Sequence, residues 1–566
     1  LGKFAEIIEG KGWAPAMIAS AIVVMYMMIL SLVPIRMDND CWWHVKTGKI
    51  IAQQGLPEHD VFAYTAAEYE WHNHEWLAQV AAYQVWRMGE RTQLGGWRAV
   101  ILATACVNAA AFLVLLKLAG RLSENWWIAL LVVLIAAGLG RRMFVPRPPA
   151  ITNLLLAIQI LILVGVHNGW FKTWSLAILP AIFALWANSH GGWLAGLVVL
   201  GAFLVQDVTT ALRSRFPVPF EDATRPIALG TWAWLFPACI VGTMVNPYWW
   251  RLYELPLRVM TEHQLVQVIG ELRPPDLFYV RDFVNFIVIT ILFLAVSRGR
   301  RVRLSNLLIF LFFLLQALQH VRHLVLLGVT MVPFWTRLAD SAFRELAIFL
   351  RESCCPFTPA AANRAMGVTA LVAALGHGAF VVRNVPETDS YLVRNRQYAQ
   401  IRDGFISNAF PTEAAEIIHM SRLEGNMFNE NNFAGYLIWS LSPDQHQVFS
   451  DSRFDIFGGD LWRQEEIVST LYEGDEELSS WSEVLDKWEI QWGLTRGNTR
   501  LARALRDGLD GWAVAADFGR LSRSTSPDLV LFIRDTPENA AMLQRTRRIF
   551  ETRYAWVTPS QPGVRR

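Results

Sequence analysis

Two aspartates one residue apart follow the first apolar stretch of the chain: Asp38-Asn39-Asp40, then Cys41-Trp42-Trp43-His44. In extended backbone, alternate side chains share a face, so Asp38 and Asp40 point the same way. Two carboxylates so placed bind a divalent ion, Mg or Mn, or act as a general base and the group that orients it. Capping of a helix start is the plain alternative for an aspartate there. Farther on lies Trp71-His72-Asn73-His74-Glu75-Trp76. His72 and His74 offer two imidazole nitrogens to a metal, but no histidine stands three residues after Glu75, so this is not the zinc-protease helix. A hydrogen-bonded helix start is the competing reading for the histidines. Glu75, followed at once by apolar sequence, is a third acidic candidate.

The cations suggest the other half of a reaction. Arg141, Arg142 and Arg147 carry guanidinium groups, which grip phosphate oxygens as bidentate forks. Pro148 and Pro149 stiffen the chain beside Arg147; anchoring to lipid headgroups is the alternative. Asn188-Ser189-His190-Gly191-Gly192 breaks a hydrophobic stretch with glycines that let backbone approach a ligand or close a turn. Arg251, Arg258, Arg273, His320, Arg322 and His323 extend the set, which suits the phosphate or pyrophosphate of a lipid headgroup.

Hydropathy defines the elements that must hold these residues. Of 566 residues 53% are hydrophobic, and mean hydropathy is +0.28, too apolar for an ordinary soluble enzyme. A first span over about Trp13 to Ile35 is too long for a signal peptide and reads as a retained anchor. Further spans are expected at about 97–118, 124–140, 151–167, 174–189, 191–207, 229–246, 283–297, 303–319, 322–339 and 366–384, roughly eleven in all. Arg298, Arg300, Arg301 and Arg303 form the densest basic cluster between spans. Placed in the cytoplasm, it puts the N-terminus inside and the C-terminal region outside. The loops 36–96, 141–150, 188–192, 246–282 and 320–323 then face outward and contain every motif above. Trp76 to Met88 has helical periodicity and reads as an amphipathic helix along the membrane surface. The formal net charge of +2 argues against nucleic-acid binding. Cys41, Cys106, Cys239, Cys354 and Cys355 show no zinc or redox spacing, and no disulfide framework is visible.

The expected fold is thus an all-α membrane domain over residues 1–384, with outer loop 36–96, followed by a small soluble α/β domain over 385–566. In the latter, helices are expected at 411–423, 461–472, 482–488 and 500–507, and strands at 436–439, 448–450, 490–494, 512–516 and 528–533. Asn429, Glu430, Asn431, Asn432, Asp451, Arg453 and Asp455 form a polar cluster at strand ends, a ligand-binding place in α/β sheets or else turn chemistry.

Taken together, Asp38-x-Asp40, Trp42-Trp43-His44, Leu56-Pro57 with Asp60, His74-Glu75-Trp76-Leu77, Arg147-Pro148, Trp186-Ala187-Asn188-Ser189-His190-Gly191-Gly192, Asn246-Pro247-Tyr248, Arg251-Leu252-Tyr253, Phe428-Asn429, Gly435-Tyr436-Leu437-Ile438-Trp439 and Asp451-Ser452-Arg453 resemble a group of bacterial multi-pass membrane proteins that look like GT-C glycosyltransferases. The resemblance implies a bacterial inner-membrane enzyme that takes sugar from a polyprenyl-phosphate donor at the extracytoplasmic face. It places the catalytic acidic residue, base or metal ligand, on Asp38 or Asp40, and a second on Glu75 or Asp60. The arginines at 141, 142, 147, 251 and 322 would hold the donor phosphate. His44, His72, His74, Asn188, His190 and His323 would line the outer cavity. The same resemblance admits a non-catalytic subunit that docks a protein partner through residues 385–566. A transporter, which needs charge at mid-membrane, ranks last.

Overall fold

The computed structural model describes residues 11–32, 38–123, 125–212, 224–261, 274–275, 303–353, 410–475, 478–521 and 528–554, together with positions 372, 376, 379, 401–402 and 405–406. The chain divides into two compact units. One is Leu1–Pro34, Ile101–Pro256 and Ile269–Val385; the other is Ile35–Val100, Leu257–Val268 and Pro386–Arg566.

In chain order the principal helices are α1 (Trp13–Leu32), α2 (Asn39–Gln54), α3 (Trp76–Glu90), α4 (Gly96–Ser123), α5 (Trp126–Leu139), α6 (Pro149–His167), α7 (Leu179–Ala187), α8 (Trp193–Leu212), α9 (Leu229–Met244), α10 (Leu304–Gln319), α11 (Leu324–Ser353), α12 (Thr412–Ser421), α13 (Asn431–Leu441), α14 (Phe454–Thr470), α15 (Trp481–Lys487), α16 (Arg500–Asp507) and α17 (Ala540–Arg553). Four strands build the main sheet: β1 (Asn426–Asn429), β2 (Ile490–Arg496), β3 (Trp512–Asp517) and β4 (Leu529–Arg534).

The first unit is a bundle of apolar helices. Local signals set their ends. Asn125 caps α5, its side chain accepting from the backbone N–H of Trp127 and Ile128, and Pro149 opens α6, where a missing N–H costs nothing. Phe112, Leu115, Leu130, Val133, Leu156, Phe183, Trp186 and Trp335 fill the interior of the bundle. Eight of the expected spans coincide with helices within several residues, and 322–339 falls within the longer α11; 283–297, and 366–384 apart from positions 372, 376 and 379, lie outside the described residues. By length and composition α1, α4, α6 and α8 qualify as crossing helices. α9 and the segment Trp249–Leu257, bent by 96°, form a possible fifth. Helices Trp126–Leu139, Thr173–Ala187 and Leu304–Gln319 are apolar but shorter. The described residues do not reach the expected count of about eleven.

The second unit joins outer loop and C-terminal domain in one core. The sheet runs β1-β2-β4-β3, with β1 and β2 parallel and the other pairs antiparallel. Side-chain alternation gives it two buried faces. Leu529, Leu531 and Ile533 face a core that also holds Trp43, Ile50, Phe62 and Trp71 from the loop region. Val530 and Phe532 face a core closed by Leu461, Leu501 and Leu505. Each of those large loop side chains contributes about 2–3 kcal/mol by leaving water. Backbone stitches reinforce the join. Val448 N–H donates to Phe62 O (2.8 Å), Tyr64 Oη to Met427 O (2.9 Å), and Thr65 Oγ1 to Phe449 O (2.6 Å).

The expected helices of this domain and its strands at 490–494, 512–516 and 528–533 are present within several residues. Two expectations are corrected. Residues 436–439, read as a strand, lie in helix α13. Phe433, Leu437, Ile438 and Leu441 are buried at helical spacing, a period hidden in a four-residue aromatic window. Residues 448–450 form no strand, only a bridge from Val448 to Ala63. Strand β1 and helix α17 were not anticipated.

Candidate active site

Helix α2 presents the acidic motif, and its start explains the fate of each carboxylate. Asp38 is the N-cap: in extended backbone, its Oδ1 accepts the N–H of Asp40 at 3.0 Å. The capping alternative is therefore realised at Asp38. Asp40 lies in the first turn, where a negative charge is favoured by the helix dipole. Its Oδ1 accepts from the indole Nε1 of Trp43 at 3.3 Å and from the hydroxyl of Ser452, 412 residues away in sequence. Asn39 between them donates through Nδ2 to Asn431 O at 2.9 Å. Gly435 of α13 lies so close that a Cβ there would clash with Asn39 O, so only glycine lets the two backbones meet.

Behind Asp40, α2 packs on α3. His44 is buried, and its Nδ1 is 3.3 Å from Gln79 Nε2. Gln79 Oε1 accepts from Asn73 Nδ2 at 2.7 Å, so the amide faces His44 with its NH2. Glu75, at the start of α3, has its carboxylate 3.7 Å from His44 Nδ1 and 3.9 Å from His74 Nε2. His72 is peripheral, 3.4 Å from the exposed Glu70. Thus His44, His74 and Glu75 form one cluster, and His72 turns to another partner.

Asp60 has a structural role. It is buried and takes a bidentate grip from Arg453, at 2.5 Å and 3.1 Å, plus the N–H groups of Phe62 and Ala63. Arg453 also holds Asp451, at 2.6–3.1 Å, and its guanidinium carbon lies 4.8 Å from the Trp71 ring centre and 5.1 Å from that of Phe62. Burial pulls the Arg453 pKa down, but the two carboxylates outweigh it and the net direction is upward; the guanidinium stays charged. The expected polar cluster resolves the same way. Asn429 holds Ser450 O and Phe449 N–H, and Glu430 holds Thr495 and Arg496. These are structural ties, the turn-chemistry alternative; the side chain of Asp455 lies outside the described residues.

The cation-rich turns belong to the first unit. Arg141 is in the 3-10 turn Arg141–Met143, Arg147 precedes α6, Arg251 is exposed in the turn Trp249–Tyr253, and Arg322 and His323 share the turn Val321–His323. The side chains of Arg142, Arg258 and Arg273 lie outside the described residues. Burial, with Arg322 and His320 adding to it, pulls the His323 pKa down to about 3. His323 is therefore neutral at physiological pH, and the cation of that turn is Arg322. Asn188 closes its turn structurally, donating to Ala184 O (2.8 Å) and Val245 O (2.7 Å). His190 is held more pointedly. Its Nδ1 lies 2.7 Å from Thr152 Oγ1 and 3.0 Å from the Gly192 N–H, while Trp186 Nε1 donates to Thr152 Oγ1 at 2.8 Å. Two donors on Nδ1 place the ring proton on Nε2.

Sequence reasoning missed three features. Ser452 was visible only as the middle of Asp451-Ser452-Arg453. Thr152 and Gln79, which orient His190 and His44, carry no motif. At the opposite end of α6 and α8 from the His190 turn, Asp207 Oδ2 accepts from His167 Nε2 (3.0 Å), Ile227 N–H (3.1 Å) and Trp232 Nε1 (2.9 Å), a buried polar centre in helices read as apolar.

The chain thus combines a bundle of apolar helices, an acidic motif at the start of α2 and a small C-terminal sheet domain. Two archaeal structures share this fold at low sequence identity. The apo oligosaccharyltransferase of Archaeoglobus fulgidus is 11% identical, with 85% of this chain and 69% of that one covered at a TM-score of 0.52. The oligosaccharyltransferase AglB of the same organism, in complex with an inhibitory peptide and a dolichol-phosphate, is 12% identical, with 86% and 70% covered at 0.50. ArnT from Cupriavidus metallidurans bound to undecaprenyl phosphate is 15% identical, with 92% and 98% covered at 0.45. No family model matches the sequence, and no curated protein does. The chain therefore has a fold like that of these archaeal oligosaccharyltransferase structures.

Proposed function

We propose that this protein is a glycosyltransferase of the bacterial inner membrane that moves a sugar from a polyprenyl-phosphate donor to an acceptor hydroxyl at the extracytoplasmic face. The observation that carries the reading is Asp40, a carboxylate in the first turn of the first loop helix with two side-chain donors on one oxygen, in a chain of GT-C fold. Asp40 takes the acceptor proton as the acceptor oxygen bonds to the anomeric carbon. The bond from that carbon to the phosphate oxygen breaks, and its electron pair leaves on the lipid phosphate. Arg141, Arg142, Arg147, Arg251 and Arg322 supply cations to hold that phosphate as its charge develops. Glu75, with His44 and His74, supports α2 from behind.

The expected Mg or Mn ion is a separate proposal. Asp38 Oδ1 is committed to a backbone N–H and Asp40 Oδ1 to two donors. Among the described residues, no group of three His, Cys, Asp or Glu side chains is arranged to hold a metal. These residues do not fit a protein-built metal cage, so no step is routed through one; chelation followed by metal add-back during turnover tests this directly. In proteoliposomes given a panel of undecaprenyl-phosphate-linked hexoses and pentoses, Asp40→Asn is expected to abolish sugar release from the lipid while the protein stays folded. Normal turnover by folded Asp40→Asn would end the proposal.

A second reading, a non-catalytic GT-C-like subunit that docks a partner through residues 385–566, draws support from the structural use of Asp38 as a cap and Asp60 in a buried ion pair. A stable complex after gentle solubilisation, with no turnover of any donor, would favour it.

A further inference from the structure

We infer that the C-terminal domain supplies a positioning residue to the proposed active site: Ser452, set by its buried neighbours Asp451 and Arg453, orients the Asp40 carboxylate. This rests on Asp40 being the base of the reaction proposed above.

The argument starts from how Ser452 is held. The residues on either side of it are wholly buried. Asp451 and Arg453 are tied to each other and, through Arg453, to Asp60, and Trp462 Nε1 donates to Asp451 O at 3.0 Å. The Arg453 backbone N–H also donates to Asp451 Oδ1 at 2.8 Å, closing a tight local turn around Ser452. With both flanking residues fixed by charge-assisted bonds, the backbone at Ser452 has little freedom, and its hydroxyl donates to Asp40 Oδ1. The start of α2 is meanwhile clamped by Asn39 on Asn431 and by the Gly435 approach. Donor and acceptor are therefore fixed independently, and the hydrogen bond between them needs no further ordering.

Its chemical effect has two parts. The Ser452 and Trp43 donors fix the rotamer of Asp40, which matters because small misplacement of a base is costly in rate. A donor to the charged form also favours that form, so its removal should shift the ionisation of Asp40 to higher pH. A purely structural tie would lower stability and leave the pH behaviour of the reaction unchanged.

The test uses the full-length protein in proteoliposomes with two readouts. The first is sugar release from the undecaprenyl-phosphate-linked panel as a function of pH. The second, independent of activity, is the pH dependence of carbodiimide labelling of Asp40, read by mass spectrometry. Ser452→Ala is expected to lower the maximal rate about tenfold with the donor KM unchanged. It should also move both the acid limb of turnover and the labelling midpoint to higher pH. Ser452→Thr, which keeps the hydroxyl, should restore both. If folded Ser452→Ala matches wild type in both readouts, the inference is overturned and the proposed function stands. If wild type releases no sugar from any donor while the labelling midpoint still moves, the contact is real but the proposed function falls, and with it the catalytic meaning of Ser452. Should Ser452→Ala fail to fold, Ser452→Cys, a weaker donor of similar size, must show the same displacements in smaller measure; wild-type behaviour there would overturn the inference.

Discussion

Each compact unit holds a buried charged centre of a different make-up. In the second, a guanidinium meets two carboxyl groups: Arg453 lies between Asp60 and Asp451, three wholly or almost wholly buried residues drawn from regions 393 residues apart. In the bundle of the first, the buried carboxylate of Asp207 is met by an imidazole, a backbone N–H and an indole, all from nearby helices and turns. Full ion pairing suits a unit whose parts must find each other across the sequence, because an unpaired member is costly and only one register satisfies all three. Donors from neighbouring elements suit an apolar bundle, where each added charge would need its own partner.

That contrast can be broken most severely at Arg453. Arg453→Met leaves Asp60 and Asp451 facing each other without a cation, and is expected to cost about 3–5 kcal/mol of the second unit's stability. Thermal unfolding in detergent should show it, and Asp60→Asn in the same background should recover part of the loss. A smaller effect is expected in the bundle. Asp207→Ala strands three donors at about 1–3 kcal/mol, shared among groups that relax toward water, whereas Asp207→Asn keeps an acceptor and should cost less, by the same melting assay.

A third test sharpens the comparison through pH. Glu465, buried on α14, accepts from Ser450 Oγ and from the Asn431 N–H. Burial raises its pKa to about 8, against the opposing pull of those two donors. Its folded pKa lies above the unfolded value of 4.5, so its contribution is fully present below pH 4.5 and is lost as pH rises to about 8. The second unit should therefore lose on the order of a few kcal/mol across that window. Glu465→Gln should flatten the dependence; an unchanged slope would remove Glu465 as its source. Smallest of all, Thr152→Val removes the hydroxyl between Trp186 and His190, at about 1 kcal/mol. It should weaken binding of undecaprenyl phosphate several-fold if the oriented Nε2–H of His190 faces the lipid phosphate.

How much of this was legible follows from where the partners lie. The apolar helices of the bundle could be read because their signal is continuous and local, and their caps, such as Asn125 and Pro149, sit beside them. The strands Ile490–Arg496 and Leu529–Arg534 were legible from β-branched and aromatic runs. Helix α13 was not, because its aromatic residues mimic a strand until the window reaches Phe433 and Leu441. Of the acidic site, residue types and spacing disclosed Asp38, Asp40 and Glu75, with capping as the alternative that Asp38 realises. No local pattern could show that Ser452 donates to Asp40 or that Asp60 is bound by Arg453, since those contacts exist only once loop and C-terminal domain share a core.

The most direct measurement is sugar release from undecaprenyl-phosphate-linked donors by Asp40→Asn protein, reconstituted and shown to melt like wild type. The account predicts a loss of at least about a hundredfold in maximal rate, as expected when a general base is neutralised. Wild-type turnover by that folded variant would contradict it.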